Sequence, residues 1–348
     1  MSIIRVTLLI FILFSAASVC LTKRLISSII LYTSFSTALS LIWILVIAPD
    51  IAITEAAVGT GISGVLFFVL LKRIGVVELE YSEEKREERV EKWSAKSGAK
   101  GKRTFFNVMA TVICASFTGV LLYTVIRLPG FGNAGNPANN EVPARFIEQG
   151  IQDTGVINAV SAMLWSYRSF DTFGEAMVLF VAVCSVFILA RGGIASEVSD
   201  AFLREMDDPR KDMILKKTGF IMIAIIMIFG FYAVLHGHLS PGGGFSGGAV
   251  LGASVILFAS TYGAKRAHDF IGYKTFCRIL IVSLVSYAAA KFYSFYVGAN
   301  DLVYLIPFGT PGSLLSGGLI PLLNMAVGIT VAGTMYVIYI LFAKGDLK

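Results

Sequence analysis

The sequence is dominated by uncharged apolar runs, each close to the roughly 20 residues that a helix needs to cross the hydrocarbon core of a bilayer. They stand near residues 3–21, 25–47, 51–71, 105–126, 172–190, 218–236, 245–261, 276–297 and 318–342. In hydrocarbon every backbone N–H and C=O must be satisfied within its own segment, so runs of this length predict helices. The expected fold is an all-α, polytopic integral membrane protein of about nine transmembrane helices. Composition agrees: only 15% of the 348 residues are charged, against about 25% in an ordinary soluble domain. That excludes a soluble enzyme, a nucleic-acid binder and a disulfide-stapled secreted domain. Cys20, Cys114, Cys184 and Cys277 form no C-x-x-C pair and lie within or beside apolar runs. They read as small core residues, leaving no recognisable iron–sulfur, zinc or other metal site.

Loop charge orients the chain. The first run has the outline of a signal peptide, with Arg5 ahead of it and small residues from Ser15 to Ser18. Lys23, Arg24 and another span follow at once, which fits a retained hairpin better. With the N-terminus outside, the inner segments hold 24 of the 29 Lys and Arg, and the outer ones hold Arg5, Arg127, Arg145 and Arg168. The positive-inside rule then predicts a cytoplasmic C-terminus in a multi-pass protein of the cell membrane, and accounts for the net charge of +6.

Two charged joints divide the chain. Residues 76–103 contain ELEYSEEKREERVEKW at helical spacing, read as a solvated helix with i,i+4 pairs, and residues 193–213 contain EVSDAFLREMDDPRKD. They separate a three-helix module (1–75), a two-helix module with a long outer loop (104–192) and a four-helix module (214–348). No internal repeat relates the three, so the chain reads as a fusion of unlike units. In the outer loop, INAVSAMLW is expected to form an interfacial helix or to pack on a neighbouring protein.

A few charges fall inside spans, where each costs several kcal/mol on insertion scales and is a functional hypothesis by default. Glu55, in APDIAITEAAVGTGISG, shares a helix face with Ala52, Ala56, Gly59 and Ser63. Small residues there invite another helix and point Glu55 at protein. The alternative is a carboxylate at a helix end near water. Glu175 follows Asp171 by four residues, placing both on one face. Sheltered carboxylates of this kind load and unload a proton or small cation, whereas Asp171 as N-cap and Glu175 as first-turn acid is the plainer reading. Lys291 either snorkels to the interface or faces a carboxylate or hydrated path, with Tyr287 and Ser294 on its face.

The segment HGHLSPGGGFSGGAVLG lacks the G-K-[ST] ending of a phosphate loop. Gly244, Gly248 and Gly252 instead form a smooth stripe for close helix packing. His236 and His238 alternate and cannot share a helix face as a metal pair would; a water-lined path and an ordinary outer-boundary role both remain open. Under the predicted orientation Glu55, Glu175, Lys291 and both histidines fall toward the outer half of their spans, which suits a hydrated half-channel or reflects polar residues near helix ends.

These segments together resemble the Mrp-type cation/proton antiporters, which are built of several subunits, and the antiporter-like module of related membrane-bound hydrogenases and sulfane reductases. APDIAITEAAVGTG is similar to the signature of a small three-helix subunit that matches part of the C-terminal region of the antiporter's large subunit. TGVINAVSAMLWSYRSFDTFGE is similar to the segment that follows it, and GHLSPGGGFSGG to the signature of the B-type subunit. The resemblance covers nearly the whole chain in order. It implies that Glu55 and Glu175 occupy acidic positions used in ion translocation and that PGGGF is structural. Ser166 and Ser169 depart from the family's usual aspartate and glycine, so an extra carboxylate relay is not expected in that loop.

The function expected is therefore a subunit of a Na+ and/or H+ translocating complex, in contact with other membrane subunits and lipid and holding no redox cofactor. The alternatives are a scaffold bridging antiporter-like subunits and a haem-binding membrane anchor of an oxidoreductase. The latter would need histidines on facing helices within the bilayer.

Overall fold

The computed structural model describes residues 2–22, 24–73, 100–130, 132–133, 135–136, 139–191, 213–263, 266–267 and 273–344. Residues 76–99 of the first charged joint and 193–212 of the second lie outside these. The described residues are all-helical. Nine helical segments among them are long and apolar enough to cross a membrane: Ile3–Leu21, Leu25–Leu45, Pro49–Lys72, Val108–Arg127, Ser169–Leu189, Lys216–His236, Gly244–Tyr262, Cys277–Ala299 and Ile320–Ala343.

The helices are α1 (Ser2–Leu21), α2 (Leu25–Leu45) and a third span built from α3 (Pro49–Thr54), the π-helix π1 (Glu55–Ser63) and α4 (Gly64–Arg73). Then come α5 (Lys100–Arg127), α6 (Glu141–Glu148), α7 (Gly150–Thr154), α8 (Ala159–Ala162) and a second π-helix, π2 (Met163–Tyr167). The remainder are α9 (Ser169–Arg191), α10 (Met213–His236), α11 (Gly244–Tyr262), α12 (Tyr273–Ala299) and α13 (Ile320–Lys344). Residues 1–76 and 146–348 form one compact unit, and 77–145, which contains α5, form a second.

Sequence chemistry sets the ends of these elements. Pro49 opens α3, where its missing N–H is not needed. Gly155, left-handed at φ 72°, closes α7 by donating its N–H to Ile151 O at 2.9 Å. Asn158 caps α8 by accepting from the N–H groups of Val160 and Ser161. The expected interfacial helix over INAVSAMLW is thus two short pieces, α8 and π2.

The core of the first unit is the α11–α13 pair, whose spans are 56% and 72% buried. Their axes approach closely because Gly244, Gly248 and Gly252 face Asn324, Gly328 and Ala332. A Cβ at Gly244 would lie 2.6 Å from Asn324 O, one at Gly248 2.6 Å from Gly328 O, and one at Gly252 3.2 Å from Ala332 O. On the opposite side Gly247 meets Val234 of α10 at 2.7 Å. Helices in lipid gain little from apolar burial alone, so such backbone approach and interhelical hydrogen bonds hold them together. Among these bonds are Ser260–Tyr339 at 2.8 Å and Ser283–Thr330 at 3.1 Å.

Gly248→Val is expected to destabilise the bundle by about 1–3 kcal/mol through overpacking. A lowered thermal midpoint of the purified protein checks this, and an unchanged midpoint would show that α11 and α13 part without penalty.

Candidate functional site

Glu55 sits where the third span changes from α to π geometry. The π-helix adds a fraction of a residue to each turn, so a face counted at helical spacing drifts. Ala52 and Gly59 are buried as that count implies, but Ala56 is exposed, while Ile62 and Gly64 are buried. The half-buried Glu55 carboxylate accepts a hydrogen bond from Ser36 of α2. Gly59 makes room for this pair: a Cβ there would overlap Ser36 Oγ and lie 2.5 Å from Glu55 Oε1. One hydroxyl occupies one of about four lone-pair sites on a carboxylate. Among the described residues no other side-chain hydrogen bond reaches this carboxylate.

Glu175 projects from α9 and is exposed on this chain. It opens on a cavity of about 210 Å³ lined also by Asp50, Thr54, Thr172, Trp165 and the Gly242–Ser246 segment. Asp171 is exposed in the first turn of α9, two residues after its start, rather than at the N-cap. It pairs with Arg168 at 2.6 Å. Glu175 therefore has a neighbouring carboxylate whose charge is offset, and the pair is not an isolated double negative.

Lys291 is half-buried and donates to the carbonyl of Trp165 in π2, so its ammonium turns into the bundle instead of snorkelling outward. Tyr287 and Ser294, which share its helix face, bond elsewhere. Tyr287 is buried and donates to Ser169 O at 3.0 Å, and Ser294 donates to Ala290 O at 3.0 Å within its own helix. Lys291 lines a second cavity of about 380 Å³, with Asp153, Tyr167, Tyr304 and Trp165. Trp165 is buried and lines both cavities.

His236 is half-buried and stacks on Tyr232, with ring centroids 4.6 Å apart. His238 is fully buried, and neither ring nitrogen meets a partner of good geometry among the described residues. The histidine turn is stapled from outside: Asn158 donates to Gly237 O and Ser240 O at 3.0 Å each, and Ser161 also donates to Gly237 O. Burial pushes the His238 imidazole below the ordinary histidine range, while the nearby carbonyls of Ser313 and Leu314 act in the opposite sense.

The structure thus pairs Glu55 with Ser36, Lys291 with Trp165 and Asp171 with Arg168, and sets Glu175 on the same cavity as Asp50. Three residues around these sites escape sequence reading. Asp50 reads as an ordinary first-turn acid beside Pro49, yet it accepts from Gly242 N–H across 192 positions. Asp153 accepts from Tyr167 at 2.6 Å, and its short helix carries no periodic signal. Trp165 reads as an interfacial anchor. The adjacent glycines at 242 and 243 were the available signal, since they mark a turn able to offer its backbone to a distant side chain.

Three family models match successive parts of the chain. MbhD, the D-type component of MBH, matches residues 10–76, and MbhE, the E-type component of MBH, matches 103–199. A domain related to the MnhB subunit of Na+/H+ antiporter matches 214–337. An uncharacterised protein of Methanocaldococcus jannaschii is 28% identical over 193 residues, covering 50% of this chain and 72% of that protein. A putative antiporter subunit, mnhB2, of Staphylococcus saprophyticus is 36% identical over 81 residues, covering 23% of this chain and 56% of that protein. The fold is shared with a chain of the Mrp complex from Dietzia sp., with a TM-score of 0.68 and 17% identity. That match covers 98% of this chain but 35% of the other. It is also shared with a chain of the membrane-bound sulfane sulfur reductase, an archaeal respiratory complex. There the TM-score is 0.51 with 24% identity, over 67% of this chain and 96% of the other.

Because His238 is held below its ordinary value, the unfolded chain takes up this proton before the folded one. The stability this histidine contributes is therefore fully present above about pH 6.5 and is lost as the pH falls below it. The thermal midpoint is expected to drop on the acid side more steeply in the wild type than in His238→Gln; identical slopes would remove His238 as the source.

Proposed function

Carrying MbhD, MbhE and MnhB domains in succession, this chain belongs to the Mrp- and MBH-type antiporter-like subunits, and we propose that it serves as a membrane subunit of a cation- and proton-translocating complex. The observation that carries the ion path is the Glu55 carboxylate. It stands inside a span, bonded by one hydroxyl of a neighbouring helix, with Gly59 making room for the pair. Such a carboxylate holds a proton or Na+ in exchange for the other without large movement of the helices.

Glu175 is the second station of this path and Lys291 a fixed cation on the far side of Trp165. Asp171, paired with Arg168, contributes less. Glu175 is exposed on this chain within a span, and hydrocarbon does not tolerate a bare carboxylate. Its face therefore docks a partner subunit or opens to water. Redox chemistry, where the parent complex has it, belongs to partner subunits. The orientation proposed from loop charge is an outer N-terminus and cytoplasmic C-terminus, with the Glu55 and Glu175 ends of their spans outward.

Glu55→Gln and Glu175→Gln test the path in the reconstituted complex. Gln keeps the shape and loses the charge, so assembly is expected to persist while ion flux falls by roughly tenfold or more, the equivalent of about 1.4 kcal/mol on the barrier. Normal flux per assembled complex in both variants would leave the chain as a scaffold.

A further inference from the structure

Three consecutive backbone N–H groups of the glycine turn reach three different helices. Gly242 donates to Asp50 Oδ1 of α3 at 2.7 Å, Gly243 to Ala233 O of α10 at 3.1 Å, and Gly244 to Asn324 Oδ1 of α13 at 2.9 Å. The turn fans its donors this way because Gly242 and Gly243 take φ of 139° and 135°, where L side chains are strained. A Cβ at Gly242 would also meet Ala233 O at 3.1 Å.

Of the three acceptors only Asp50 is a carboxylate, and a hydrogen bond to a charged acceptor is about twice as strong as a neutral one. Asp50 is also the one that joins the N-terminal helices to the C-terminal four. It lies on the short helix that leads directly into Glu55, and Thr54, the residue before Glu55, donates its hydroxyl to Asp50 O at 2.9 Å. Asp50 and Gly242 both line the 210 Å³ cavity on which Glu175 opens.

We propose that Asp50 is a positioning residue whose carboxylate tethers the Gly242–Gly244 turn to the helix carrying Glu55 and so fixes the mouth of the cavity in front of Glu175. The functional effect rests on the ion path proposed above; the tether does not. Without it, the turn keeps its links to Ala233 and Asn324 but loses its link to α3, and Glu55 and Glu175 lose their common frame.

The test compares Asp50→Ala with Asp50→Asn in the intact complex, since Asn keeps a carbonyl oxygen able to accept from Gly242. Two readouts are needed: hydrogen exchange at the Gly242 amide, and Na+-dependent flux per assembled complex. In Asp50→Ala, exchange is expected to rise roughly tenfold or more and maximal flux to fall several-fold, with Asn restoring most of both. Unchanged exchange in Asp50→Ala would overturn the tether. Faster exchange with normal flux would reduce it to a structural tie. An Asn variant with protected exchange but flux as low as Ala would make Asp50 an ion-path charge instead. If Ala prevents assembly, Asp50→Ser, which is too short to span the same gap, takes its place under the same readings. Should Glu55→Gln and Glu175→Gln both transport normally, the ion path fails while the exchange result still decides the tether.

Discussion

The close approach of α11 and α13 is the constraint from which the rest of the first unit follows. Gly244, Gly248 and Gly252 bring one backbone onto another at Asn324, Gly328 and Ala332, and Gly247 brings α10 against the opposite side. With no aqueous penalty to drive apolar faces together, helix contacts in lipid depend on this kind of shape. Once the pair is set, Asn324 Oδ1 is in place to receive Gly244 N–H, and Ser283 of α12 finds Ala326 O and Thr330. The glycine turn above α11 is then held at a defined height, where α3 reaches it.

Irregular backbone marks the polar positions. Glu55 opens π1, and the carbonyl that Lys291 binds belongs to Trp165 in π2. A π segment widens the turn and redirects side chains, so each of these polar contacts sits where regular α-helix gives way. Along the span around Glu55, Ala52, Gly59 and Ile62 are buried and Ala56 is exposed.

Much of the architecture was legible in the sequence because bilayer thickness leaves few choices. The limits of the nine spans are set by charge and glycine, and they agree with the sequence pattern to within a few residues. The glycine stripe was readable because i,i+4 spacing survives in the regular helix α11. The site was readable only as single residues. Glu55, Glu175 and Lys291 stand out as charges in apolar runs, but their partners Ser36, Asp50 and Trp165 are ordinary in composition and 19 to 126 positions away. Local periodicity carries no information about such pairs. It also presumes 3.6 residues per turn, which does not hold through π1.

The two cavities beside π2 have a consequence of their own. One is lined by Lys291 and Asp153 and the other by Asp50 and Glu175, and Trp165 belongs to the wall of both. A single buried residue is thus part of the insulation between a mixed-charge compartment and an acidic one. Insulation so thin lets the field of Lys291 be felt among the acids across the ring, because low-dielectric material between charges screens less than water does. A side chain too small to fill its share of that wall would bring the two compartments closer to being one.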